Sequence, residues 1–513
     1  MNIALIHTET DYWALGSRII SAVLKREGHD SRLILMGSPE RQYSPDTLSA
    51  LKGLISDADI VGVSSFSRGS EKAKQVINAA KSIGKITIWG GVHATLFPEE
   101  CGKEADLVCI GEGEYFILDV IESLQNGNNW KSVKNGAYFK DGRFIINEFR
   151  PLISNLDELP IPDYTRSDEY HLDSNGFNRI VTQPNKSEPI MFTGSRGCAF
   201  HCNYCSNAKL KQIFSGTGRY VRKMSIQKYV EQASALKEVW PQASYFYLVD
   251  EDFMARSVEE LREFSKEFPA KVGLPFECMA SPPMVTEEKM DLLVKAGLWR
   301  IDLGVESGSE RTKREVFNRP INNQKVLRAA KIINKHRQVV PYYFFIIGNP
   351  YENRDDLLET IDLINQLPTP YFLRAYNLVF FPGSFLYEMA LQDGIITSKD
   401  DSGYEMDFLA GLDYRRHSWK QKELYLNGLI FLMSGKSNKW RAGVFPRFLL
   451  RFLTNSRIVE FNSRRPVFIK AMVLSHMAII KIRRFLLVWL RSLVKDPRRI
   501  YRVGARERSC EVA

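Results

Sequence analysis

The chain has 513 residues, 44% hydrophobic and 25% charged, an ordinary globular composition that at roughly one domain per 150 residues predicts about three units. Its seven cysteines do not form the pattern of a secreted disulfide framework and fit a reducing cytoplasm. The net charge of +10 belongs to the tail: from Trp440 onward 17 Lys and Arg stand against 4 Asp and Glu, so the body is slightly acidic, which argues against nucleic acid as a partner.

The chain opens directly on a strand pattern, without a basic, cleavable leader. β-branched runs at 2–7, 31–36, 59–64, 85–89 and 106–110 alternate with helical patterns. That alternation predicts an α/β unit over residues 1–126, a doubly wound parallel sheet of Rossmann type. Ligands of such sheets lie beyond the carboxyl ends of the strands. Ser64, Ser65, Gly90, Gly91, His93, Gly111 and Glu112 fall on that rim, where small residues let a large flat or phosphorylated ligand approach the backbone. His7 and Trp13 read as sheet-end and buried residues.

Residues 127–188 read as a linker with one hairpin, marked by the turns Lys134-Asn135-Gly136 and Asp141-Gly142 and ending in the extended stretch 159–164. Next comes Ser195-Arg196-Gly197-Cys198-Ala199-Phe200-His201-Cys202-Asn203-Tyr204-Cys205, after an apolar run at 189–193. Three thiolates suit zinc or an iron–sulfur cluster, and zinc requires a fourth ligand that His201 is poorly placed to provide. Three thiolates on a four-iron cluster leave one iron open.

Strand patterns at 245–249, 276–280, 300–305, 341–347 and 375–380 follow, with helices at 225–239, 259–268, 287–296, 323–335 and 354–366. With the strand before Cys198 they predict a partial (β/α)6 TIM-type barrel over 189–385, whose site lies at the carboxyl ends of its strands. Those ends carry Asp250-Glu251-Asp252, Cys278-Met279-Ala280-Ser281, Gly304-Val305-Glu306-Ser307-Gly308, Gly348-Asn349-Pro350 and Pro382-Gly383-Ser384. Cys101, Cys109 and Cys278 sit in apolar contexts that predict core positions.

The cysteine loop, with Tyr204 before its last cysteine, the G-V-E-S-G stretch at 304–308 and the P-G-S stretch at 382–384 together resemble the cobalamin-dependent radical S-adenosylmethionine (SAM) enzymes. The resemblance covers roughly residues 1–385 and implies a [4Fe-4S] cluster on Cys198, Cys202 and Cys205, with SAM on the open iron. It implies that Tyr204, Asp250, Glu251, Asp252 and Glu306 contribute to the SAM site, and that the first unit's rim binds cobalamin. In that family an injected electron splits SAM into methionine and a 5′-deoxyadenosyl radical. Activity is then expected to be anaerobic and to draw on a flavodoxin- or ferredoxin-type electron donor.

Two departures qualify the resemblance. The D-x-H-x-x-G motif that supplies a histidine to cobalt is missing from the loop after the first strand, so no axial ligand is assigned. Ser281 stands where relatives often carry an arginine that pairs with the methionine carboxylate.

The tail, 386–513, is expected to be helical and basic, with a helix at 423–433 against the barrel. Its longest apolar span, 468–494, is broken by Lys470, Lys481, Arg483, Arg484 and Arg491, so no bilayer-crossing helix is expected. Phe445, Phe448, Phe452, Phe485 and Trp489 interleave with arginines, a pattern suited to an anionic membrane interface or, as the alternative, to helices that dock on the protein and turn their basic side to solvent. The expected activity is methyl transfer to an unactivated carbon of an apolar or lipid-like small molecule, in a cytoplasmic protein peripheral to the membrane. The alternatives are an oxidative cyclase using the same cofactors, and a membrane-associated cobalamin and iron–sulfur binding protein without turnover.

Overall fold

The computed structural model describes residues 1–9, 13–38, 41–179, 189–398, 423–437, 441–443, 445–464 and 469–476. The first sheet is built on β1 (Asn2–His7), β2 (Asp30–Leu35), β3 (Ile60–Ser64), β4 (Ile86–Gly90) and β5 (Leu107–Cys109). They run parallel in the spatial order β5-β4-β3-β1-β2. Alternation along β1 shows why both faces are covered. Ile3 and Leu5 pack toward residues of helices Leu15–Arg26 and Glu114–Gln125, whereas Ala4 and Ile6 pack toward Pro45–Leu54 and Ser70–Lys81.

In the stretch 127–188, expected as a linker with a hairpin, the described residues 127–179 extend this sheet at both edges. The hairpin forms, as β6 (Gly136–Lys140) and β7 (Arg143–Ile146), and adds antiparallel to β5. β8 (Glu169–Asp173) and β9 (Gly176–Arg179) add beyond β2, so the nine-stranded sheet is mixed at its edges. These two edge strands are half-exposed and polar, and so lack the apolar run that marks a central strand. What secures β8 is tertiary: buried Arg18 forks onto Glu169 at 2.7 and 2.8 Å.

The second sheet begins with β10 (Ile190–Phe192). A short ribbon, β11 (Ser195–Arg196) with β12 (Arg222–Lys223), brackets the cysteine loop. Then come β13 (Phe246–Leu248), β14 (Phe276–Ala280), β15 (Leu298–Glu306), β16 (Val340–Ile347) and β17 (Tyr371–Asn377). β10 and β13 to β17 are parallel neighbours in chain order, and helices cover their outer face, giving the expected partial barrel.

The last parallel strand lies at 371–377 rather than 375–380. The apolar run continues beyond it because Leu378 and Phe380 bury in a separate cluster with Val316, Phe317 and helix Phe385–Gln392.

Described parts of the tail pack on the barrel: β18 (Gly435–Ser437) pairs antiparallel with β17, and the buried helix Leu424–Leu432 lies against the sheet. Within it the Asn427 side-chain oxygen accepts a hydrogen bond from the Gly348 amide at 2.8 Å. Among the described residues no helix is long and apolar enough to cross a membrane. Phe485 and Trp489 lie outside the described residues.

Candidate functional site

β10 delivers the chain into the cysteine loop. Gly197 has φ +80°, and a Cβ there would collide with the Tyr220 carbonyl, so only glycine makes this turn. Cys198 and Cys205 are half-buried, Cys202 is buried, and helix Ser206–Ile213 starts directly after Cys205. Burial pushes the free Cys198 thiol up to about 11 and that of Cys205 up to about 12, so a metal must displace their protons. Among the described residues no group of three His, Cys, Asp or Glu converges as ligands of a single ion. Three cysteine thiols on one loop are the soft donors that an iron–sulfur cluster takes.

Beside the loop sits a residue that the sequence reading missed. Arg319 is 7% exposed. One terminal nitrogen lies 3.5 Å from Cys202 Sγ, and the other lies 3.3 Å from Ser281 Oγ and 3.2 Å from the Gly304 carbonyl. Its guanidinium stands 4.7 Å from the centre of the Phe200 ring, and its Nε is buried without a partner. Ser281, which lacks the arginine expected at its position, is thus met by an arginine from thirteen residues beyond Glu306. The signal in the sequence was that basic residue in the connection following G-V-E-S-G.

Glu306 adopts φ +70° where the pairing of β15 with β16 shifts register, which turns its carboxylate inward. Burial raises that carboxyl, and Arg319 and Tyr204 offset part of the rise. Tyr204 packs edge-on against Phe317, with ring centres 5.0 Å apart.

The three carboxylates at 250–252 separate. Asp252 accepts from the Ser281 amide at 3.2 Å, its other oxygen is buried and unpartnered, and burial pushes its carboxyl up to about 6. The Glu251 carboxyl is also raised, by desolvation, and hydrogen-bonds Asn207. Asp250 instead faces the core, where it accepts from the Tyr229 hydroxyl at 2.8 Å and lies 4.0 Å from Arg256.

On the first sheet the strand order is that of flavodoxin-like folds, whose ligand crevice opens where β1 and β3 diverge. Ser64, Gly90 and Gly91 lie half-buried on that rim. Gly91 has φ +93°, and a Cβ would press on Ser64 Oγ and the Ser65 carbonyl, each at 2.9 Å. Phe66 is 45% exposed there, an apolar surface that the sequence reading did not single out.

Four rim residues have other partners. Ser65 is buried and accepts from the Trp89 indole at 3.0 Å. His93 is fully buried against Trp89 and Phe97, with Nδ1 3.0 Å from Ser67 Oγ. The Phe214 ring covers Gly111. Glu112 receives Arg196 and Arg222, each at 2.7 Å, and the Ile153 amide at 2.8 Å. Trp13 is buried against Trp240 and Tyr164, away from the rim.

These contacts join the carboxyl ends of the two sheets. Glu112 and Glu114 at the end of β5 hold Arg196 beside the cysteine loop, and Gly383 after β17 abuts Leu96 and Phe97.

Residues 1–121 match the B12 binding domain, and residues 192–364 match the Radical SAM superfamily. The chain belongs to the cobalamin-dependent radical SAM enzymes. Its cofactors are a [4Fe-4S] cluster, SAM and cobalamin. This radical SAM enzyme is 28% identical over 388 residues to an uncharacterized methyltransferase of Pyrococcus horikoshii, covering 73% of this chain and 78% of that one. It is 24% identical over 468 residues to cytidylyl-2-hydroxyethylphosphonate methyltransferase of Streptomyces wedmorensis, covering 80% and 84%. Its fold matches the cobalamin-dependent SAM radical enzyme OxsB, solved with aqua-cobalamin and SAM, at a TM-score of 0.64 and 16% identity, covering 99% of this chain and 75% of that one.

Proposed function

We propose that this enzyme transfers a methyl group from SAM, by way of cobalamin, to an unactivated carbon of an apolar or lipid-like small molecule. The observation that carries the reading is the junction of Glu112 with Arg196 and Arg222, which sets the cysteine loop against the end of the B12-binding sheet. When bound, the cluster and SAM supply a 5′-deoxyadenosyl radical and cobalamin carries the methyl group.

The chain's own residues hold and orient these groups. Cys198, Cys202 and Cys205 bind the cluster as thiolates. Arg319, with its buried free Nε, takes the methionine carboxylate in place of the arginine that Ser281 replaces. Asp252 and Glu251 accept from the methionine amino group, and Glu306 and Tyr204 line the same hollow. Ser64, Gly90 and Gly91, with Phe66 beside them, receive the corrin. The electron donor would be a flavodoxin- or ferredoxin-type protein, and a bound cluster would make the activity anaerobic.

The tail rests on an anionic membrane. Phe448, Phe452 and Phe461 are 77%, 60% and 61% exposed, beside exposed Arg451, Arg457 and Arg464. An apolar substrate then reaches the barrel from the bilayer.

The test uses anaerobically reconstituted enzyme with dithionite and SAM carrying a labelled methyl group. Mass spectrometry is expected to find 5′-deoxyadenosine and the label on bound cobalamin. Absence of both overturns the reading.

A further inference from the structure

Glu306 stands at a strained point of the chain. Its φ is +70°, and the Ser307 amide donates to the Val305 carbonyl at 2.9 Å, which closes a three-residue turn around it. A glutamate in this left-handed conformation stays there only where its surroundings hold it. The hold comes from the connection after β16 and from helix Arg354–Gln366, which follows it.

Glu352, in that connection, accepts from the Ser307 hydroxyl at 2.8 Å, and Ser307 Oγ accepts from the Ser309 amide at 3.1 Å. From the helix, Thr360 Oγ1 accepts from the Gly308 amide at 2.8 Å. Gly308 lies so close to this helix that a Cβ would collide with the Thr360 backbone. The Asn323 side chain donates to the Gly308 carbonyl at 2.7 Å, and the Ser309 hydroxyl donates to Asp356 at 2.6 Å. Ser307, Glu352 and Thr360 are all buried, so breaking any of these bonds leaves a buried polar group unpaired.

Burial pushes the Glu352 carboxyl up to about 8, and Asp356 adds to the rise, against Ser307, Thr312 and Arg311. Arg311 is itself forked onto Asp356 at 2.5 and 3.1 Å. At pH 7 Glu352 is therefore a neutral acid that acts as a hydrogen-bond acceptor for Ser307.

We infer that Glu352 is a positioning residue for SAM, which together with Thr360 pins Ser307 and Gly308 to the helix and so holds the Glu306 turn with its carboxylate toward the hollow. The inference rests on the proposed place of Glu306 at the SAM site and extends that site to residues acting through Ser307. A released turn relaxes out of its strained conformation and has to be re-formed when SAM binds. Affinity then falls with the fraction of protein that remains competent.

Equilibrium dialysis of labelled SAM with the anaerobically reconstituted, cobalamin-loaded protein at pH 7 tests it. Ser307→Ala and Glu352→Met should each weaken SAM binding about tenfold with cluster content unchanged. The double variant should bind no more weakly than the weaker single one, because both break the same bond. Glu352→Gln, a neutral isostere that still accepts, should stay within about twofold of wild type. Denaturation midpoints measured alongside separate this from a merely structural role, which would lower the midpoint and leave the affinity of folded protein unchanged. If Glu352→Met takes up no cluster, Ser307→Ala and Glu352→Gln decide. Wild-type affinity in Ser307→Ala or in cluster-bearing Glu352→Met, losses that add in the double variant, or Glu352→Gln as weak as Glu352→Met overturns the inference. A wild type that binds no SAM overturns the proposed function as well.

Discussion

Arg196, two residues before the first cysteine of the cluster loop, lies 2.7 Å from Glu112 at the end of the fifth strand of the first sheet. The same carboxylate receives Arg222 at 2.7 Å, so one side chain ties both strands of the ribbon around the loop to the B12-binding sheet. The two arginines hold the Glu112 carboxyl below its usual range against the desolvation that opposes them. Glu112→Gln takes the carboxylate from Arg222 and leaves Arg196 with Glu114 alone. The expected loss is roughly 3 kcal/mol, the lower end for breaking a buried pair, read as a fall in denaturation midpoint at neutral pH.

A second buried pair gives a pH signature. Glu169 accepts two hydrogen bonds from Arg18, and its carboxyl is lowered to about 2. A depressed carboxyl stabilises the fold above its unfolded value and loses that contribution as pH falls through the folded value. Between about pH 4.5 and 2 the wild type should lose up to about 3 kcal/mol from this group. Glu169→Gln should be less stable at pH 7 and flatter through that window, measured by urea unfolding at each pH.

Arg319→Met removes the guanidinium placed between Cys202 and Ser281. A charge-assisted hydrogen bond contributes about 1.5–3 kcal/mol, so SAM binding should weaken roughly 10- to 100-fold with cluster content unchanged. Arg319→Lys should recover part of the loss. Equilibrium dialysis with labelled SAM reads both.

Phe448 and Phe452 are one helical turn apart and both exposed. Phe448→Ser with Phe452→Ser should reduce co-sedimentation with vesicles rich in phosphatidylglycerol at least fivefold, without altering the fold. Salt should weaken wild-type binding, because the neighbouring arginines contribute electrostatically.

The central strands of both sheets were legible in the sequence because each is a short apolar run with turn residues on either side. The cysteine spacing was legible because it is local. What escaped detection depends on residues far apart in the chain. β8 and β9 are polar edge strands secured by Arg18 from the first helix. Glu112 and Gly111 looked like rim residues, yet arginines and a phenylalanine from the second unit cover them. Asp250 shares its sequence stretch with Asp252 but turns to Tyr229 in the core. Arg319 emerges only when the connection after β15 folds back over Ser281.

Electron paramagnetic resonance of anaerobically purified, dithionite-reduced protein, recorded with and without SAM, tests the central claim most directly. The account predicts a [4Fe-4S] signal that shifts when SAM is added and is lost in Cys202→Ala. A protein that carries zinc at the cysteine loop, with no iron signal for SAM to shift, would contradict it.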